Sequence, residues 1–69
     1  MHHTDHDKLD VLFPHWIHHN QEHAESYRSW QEKLTAMGYT EAAAKLGEAQ
    51  DLVNLLNEKI NEAQKLIHK

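Results

Sequence analysis

Cysteine is absent from the 69 residues. Disulfides, thiolate metal ligands and covalently attached haem are thereby excluded. Also absent are an apolar run long enough to span a bilayer and a segment with the layout of a secretory signal, so a cytoplasmic location is expected. Positive charge is scarce. Seven Lys and Arg stand against 11 Asp and Glu, a net −4 with histidine neutral. A nucleic-acid binder would carry a basic face, so neither a nucleic acid nor a membrane is expected as partner. Two glycines and one proline leave few places to turn. A chain this short buries a modest core, and without disulfides it calls for a metal or a partner subunit.

Histidine is what the chain has in excess. Seven of the 8 fall within the first 23 residues. Imidazole is the commonest protein metal ligand and changes charge near neutral pH. Protonating all 8 would carry the net charge from −4 to +4.

The sequence breaks once, at Met37-Gly38-Tyr39-Thr40-Glu41. Gly38 can take the left-handed conformation that closes a helix, Thr40 is a good N-cap, and Glu41 suits the positive end of the next helix. On either side the apolar positions repeat in threes and fours, the mark of helices that pack along a seam. In the first half this seam reads Leu9, Phe13, Trp16, Asn20, His23, Tyr27, Trp30, Leu34, Met37. In the second it reads Ala42, Leu46, Ala49, Val53, Leu56, Ile60, Ala63, Ile67. The fold class is all-α, one domain over 1–69. The elements expected are a flexible His-rich N-terminus over 1–8, a helix over 14–37, a turn at 38–40 and a helix over 41–67. Pro14 sets the start of the main helix, with a short turn or helix around Asp5 to Leu12 ahead of it. Because the seam keeps its phase across Pro14, one kinked continuous helix is the alternative.

So short a turn makes the helices antiparallel neighbours. Residues whose numbers add to about 78 then lie level, which sets Trp30 against Glu48 and beside Gly47, where a glycine leaves room for an indole. Leu52, Leu55 and Leu66 form a second apolar edge on the second helix. A dimer of hairpins, closing into a four-helix bundle, would cover it.

His15, His18, His19, Glu22 and His23 share the first helix. Three of their pairings, His15/His19, His19/His23 and His18/Glu22, have the i,i+4 spacing that lets two side chains reach one ion. A linear stripe cannot wrap an ion with all its members, so two should bind and a second helix or subunit supply the rest. On the second helix, Glu58 and Glu62 lie near the level of His19, and Gln50, Asn54, Asn57, Asn61 and Gln64 make a neutral polar stripe. Asn20 is placed to hydrogen-bond His23. Residues 19–23 also spell H-x-x-E-H, a zinc-peptidase motif, but 69 residues hold neither the further ligand nor a substrate cleft. A di-iron carboxylate bundle wants Glu-x-x-His on two helices, and the order here is reversed. Catalysis is not expected. A secondary site is expected at the N-terminus, where the amine of Met1 with His2, His3 and nearby His6 offers the tetragonal nitrogen set that suits Cu(II) or Ni(II).

The stretch Leu12-Phe13-Pro14-His15-Trp16-Ile17-His18-His19-Asn20-Gln21-Glu22-His23-Ala24 resembles a small uncharacterised prokaryotic family with the signature L-L-P-H-W-I-x-H-N-x-E-H-A followed by a second helix. The resemblance marks Pro14, His15, Trp16, His19, Asn20, Glu22 and His23 as defining positions. His18 falls on the variable one, and Phe13 replaces a leucine. It implies a domain of unknown biochemical function with a link to transition-metal handling, hence a metal-handling protein as partner.

The reading is a divalent transition-metal protein that binds Ni, Zn, Co or Cu through His15, His19, Glu22 and His23, with His18 beside them. Imidazole and carboxylate donors favour these ions over Mg and Ca. The competing reading is a helical interaction module whose histidines tune an interface to pH.

Overall fold

The computed structural model describes residues 4–67, which form two α-helices and no strand. Helix α1 spans Asp5–Ala36 and helix α2 spans Thr40–Ile67, packed side by side as an antiparallel hairpin.

α1 starts at Asp5, not at Pro14, so the continuous helix is the one realised and residues 4–8 are ordered into it. The cause is local. Thr4 has extended backbone and its Oγ1 accepts from the Asp7 N–H at 3.1 Å, while Thr4 N–H donates to Asp7 Oδ2 at 3.3 Å. This reciprocal capping box satisfies two backbone groups, and Asp5 and Asp7 sit at the positive end of the helix dipole. Pro14 removes one backbone bond inside the helix, a cost of about 3 kcal/mol. Phe13, 6% exposed, anchors that stretch against α2 and holds the helix through it.

The turn is as tight as the sequence implies. Gly38 has φ +89, Tyr39 N–H donates to Leu34 C=O at 2.9 Å, and Gly38 N–H donates to Thr35 C=O at 3.1 Å. These two bonds close α1 in a Schellman motif, which needs the left-handed residue that glycine supplies. α2 then begins at once, at Thr40, one residue before the expected start.

The packed seam differs in part from the one the apolar pattern suggests. On α1 it runs through Leu9, Phe13, Ile17, Asn20, Ala24, Tyr27, Gln31 and Leu34. Ala24, not His23, is buried there, and Trp16, Trp30 and Met37 are all exposed, Trp30 at 53%. On α2, Ala43 is buried and Asn57 half-buried, whereas Ala42, Leu56 and Ile67 face solvent. Small residues at 24 and 43 let the backbones approach, which bulky indoles would prevent. At Gly47 the neighbour is Gln31, whose Nε2 would lie 2.8 Å from an added Cβ; Trp30 points elsewhere.

Across the seam, Asn20 Nδ2 donates to Asn57 Oδ1 at 3.0 Å, and Asn57 Nδ2 donates to Ile17 C=O at 3.2 Å. Level residues therefore add to about 77, close to the expected 78. Only Phe13, Ala24 and Ala43 are buried among the described residues. The Cα trace measures 56 × 21 × 11 Å, a single layer of helix. Globular cores form between two layers, so a hairpin alone cannot surround its own apolar side chains.

Candidate metal centre

One turn of α1 brings His19 and His23 together, since side chains four apart stack on the same helix face. Their Nε2 atoms meet at 3.0 Å, with the ring planes at 86° and the centroids 4.5 Å apart. Both residues are exposed. The pair sits about a quarter-turn round α1 from the seam, at about 100° per residue, not on the seam itself.

This geometry suits a chelate. Imidazole nitrogens bind Zn²⁺ at about 2.0–2.1 Å. With the two nitrogens 3.0 Å apart, an ion bonded to both would subtend an angle of about 94°. Such an angle is a cis pair in square-planar or octahedral coordination. A tetrahedral ion would need the nitrogens to part to about 3.4 Å, a small rotation for two exposed rings.

The remaining candidates fall elsewhere. His15 stacks on His19 with ring centroids 6.1 Å apart and planes at 15°, so it continues a ladder of rings that Tyr27 ends on the far side of His23. His18 pairs with Glu22, Nε2 to Oε1 at 3.0 Å, on the outer side of the helix. That pair lies roughly 100° round from His19 and His23, so Glu22 serves His18 and not the chelate. The five residues thus give two pairs, with His15 stacked beside one of them, and among the described residues no group of three or more His, Asp or Glu converges as a metal cage. His6 lies near the start of α1 with Asp10, Nδ1 to Oδ2 at 3.9 Å. Met1, His2 and His3, the rest of the expected N-terminal site, lie outside the described residues.

From α2 no carboxylate reaches the histidines. Glu62 pairs with Lys59 at 3.2 Å, and Glu58 borders a polar groove with Ile17, Gln21 and Asn61 on the opposite face of the hairpin. Asn20 is engaged by Asn57 and does not orient His23. Pairing the two asparagines was within reach of the sequence: Asn20 interrupts the apolar repeat of the first helix, Asn57 stands on the polar stripe of the second, and the expected register sets them nearly level.

Residues 9–67 match the family described as Domain of unknown function (DUF8180). The chain belongs to that family. An uncharacterised family agrees with the resemblance carried by residues 12–24. The DUF8180 span takes in His15 to His23 and the whole of α2, and leaves Met1, His2, His3 and His6 outside it. No curated protein and no solved structure matches the chain. None of the described helices is long and apolar enough to cross a membrane.

Proposed function

We propose that this chain is a small cytoplasmic protein that carries, stores or senses a divalent transition metal (Ni, Zn, Co or Cu), and that it works as a dimer of hairpins forming a four-helix bundle. The observation that carries the reading is the 3.0 Å approach of the His19 and His23 Nε2 atoms. Two exposed imidazole nitrogens this close could supply half of a metal site, and such donors favour borderline and softer ions over Mg and Ca.

Self-association is supported by area. The chain exposes 5572 Å². A compact monomer of 8.1 kDa would expose about 4,500 Å². The excess of about 1,000 Å² is comparable to the roughly 800 Å² that each partner buries in a standard interface.

Calorimetric titration of metal-free full-length protein with Ni(II) and Zn(II) tests the metal site. Stoichiometric binding is expected, lost in the His19→Ala/His23→Ala variant and retained in His18→Ala and in His2→Ala/His3→Ala. If His2→Ala/His3→Ala abolishes binding while His19→Ala/His23→Ala does not, the helix site is wrong and the N-terminus is the ligand.

The exposed apolar stripe that includes Trp16, Trp30 and Leu52 favours a second reading, an interaction module whose histidines make assembly respond to pH. It prevails if no metal binds and the dimer dissociates on acidification to about pH 5.5.

A further inference from the structure

The histidine pair and the open apolar face are the same surface. We propose that a second copy of this chain covers that face across a two-fold axis, α1 antiparallel on α1 and α2 antiparallel on α2, and that His19 and His23 of both copies hold a single metal ion on the axis. This rests on the single-chain chelate proposed above and supplies the donors it lacks.

The face is set by the helical wheel. Polar grooves lined by Gln21, Arg28, Gln50 and Asn54 mark one side of the hairpin. About a quarter-turn from the seam on the other side lie Leu12, Trp16, His19, His23 and Trp30 of α1, and Ala49, Leu52, Leu56 and Ala63 of α2. Leu52 is 66% exposed, and Leu12, Trp16, Trp30 and Leu56 are exposed as well. So the apolar side chains that the hairpin leaves in water surround the histidines.

The axis is set by symmetry. An isologous dimer requires that each residue meet its image about one centre. On α1 four of the five stripe residues are palindromic about residue 21: His19 meets the partner's His23 and Leu12 meets the partner's Trp30, while Trp16 falls opposite the partner's Ser26. Helix α1 spans Asp5–Ala36, so its midpoint falls between residues 20 and 21, and the two copies overlap along their whole length. The Asn20–Asn57 bond sets residue 21 level with residue 56 in the same hairpin. About residue 56 the α2 stripe is palindromic too: Leu56 meets its own image, Leu52 meets the partner's Ile60, and Ala49 meets the partner's Ala63. The α1 stripe, the α2 stripe and the hairpin register agree on one axis.

That axis passes between His19 and His23. Packed helices lie about 8–10 Å apart, which leaves an ion at the midline within reach of imidazoles from both. Four neutral nitrogens complete a tetrahedral or square-planar shell. The other stacking, with the axis along the helices, would set α1 on α2. The histidines would then face Leu52, Leu56 and Lys59, and none of these can serve as a ligand to complete the site.

The consequence is coupling: metal binds the dimer better than the monomer, and the dimer binds metal better than the monomer does. The test uses full-length protein with Zn(II), and with Co(II) as a spectroscopic probe. Sedimentation should give one ion per two chains. Removing the ion with a chelator should weaken dimerisation about 5- to 150-fold, and the His19→Ala/His23→Ala variant should show no metal effect. Bound Co(II) should show a visible spectrum of nitrogen-only coordination. Leu56→Cys, at the axis, should oxidise to a covalent dimer that still takes one ion, which checks the register without touching the histidines. One ion per chain, or a dimer indifferent to the ion, overturns the shared site and leaves the single-chain chelate standing. A Leu56→Cys protein that never cross-links overturns the axis. If no metal binds at all, the parent reading falls with it.

Discussion

Asn57 is the polar tie between the two helices, and replacing it with alanine should be among the costlier changes to this hairpin. The side chain makes two cross-helix bonds, accepting from Asn20 at 3.0 Å and donating to Ile17 C=O at 3.2 Å. Each such bond contributes about 0.5–1.5 kcal/mol net, so Asn57→Ala should lose about 2 kcal/mol. Asn20→Ala breaks only the first bond and should lose about half as much. The double variant Asn20→Leu/Asn57→Leu behaves differently. Replacing both partners with apolar groups removes the unmet polar atoms together, so it should be close to neutral or more stable than the parent. Its expected defect is in register, because a part-buried polar pair bonded across the seam fixes alignment. The assay is urea unfolding followed by far-UV circular dichroism at one fixed protein concentration, since association makes stability depend on concentration. With a urea slope near 1 kcal/mol/M, expected for a small chain, a loss of about 2 kcal/mol moves the midpoint by about 2 M. A loss below about 0.5 kcal/mol in Asn57→Ala, or a larger loss in Asn20→Ala than in Asn57→Ala, refutes the reasoning.

Three further outcomes are expected. Gly38→Ala forces an L side chain into a φ of +89 and should cost about 1–2 kcal/mol in the same unfolding assay; no loss would mean that the turn can re-form elsewhere. Gly47→Ala should be neutral or stabilising by up to about 1 kcal/mol, because the clash is with the mobile end of Gln31 and alanine is the better helix former; a clear loss would show that the Gln31 amide is held in place. Pro14→Ala restores a backbone bond inside α1 and should raise the melting temperature, with up to about 3 kcal/mol to gain; an unchanged or lower value would mean that the proline ring itself contributes to the hairpin's stability.

The two helices and the turn at Gly38 were legible because proline, glycine and the three-four repeat are local signals. The packed face was legible in part: Leu9, Phe13, Asn20, Tyr27 and Leu34 of α1 and Leu46, Ala49, Val53, Ile60 and Ala63 of α2 lie on it as expected, and the positions that miss fall to one flank. α1 carries two stripes one residue apart, Phe13–Ile17–Ala24 and Trp16–His23–Trp30. Periodicity weighted by side-chain size selects the second. The hairpin packs the first, since close approach of two helices favours Ala24 and Ala43 over indoles. The same shift took His23 out of the core and exposed Leu56. The pairing of His19 with His23, and of His18 with Glu22, followed from i,i+4 spacing and was readable in advance. That Glu22 stands apart from the His19/His23 pair follows from its place about 100° round the helix, whereas the placing of the His15 ring depends on its rotamer. The start of α1 was hidden by Pro14, whose weight as a breaker was set against the Thr4–Asp7 box only in three dimensions.

Where the Nε2 atoms of His19 and His23 touch, there is room for one hydrogen and no more. One ring must donate it and the other must offer a lone pair, so the two rings of a neutral pair are unlike tautomers. A cation held by both rings, off the line between the two nitrogens, would demand a lone pair from both. Loading the site therefore requires the donating ring to surrender its Nε2 hydrogen and carry one on Nδ1 instead, at the edge that faces away from the ion. On the proposed reading the pair is latched by its own hydrogen bond, and capture of an ion would begin by unlatching it.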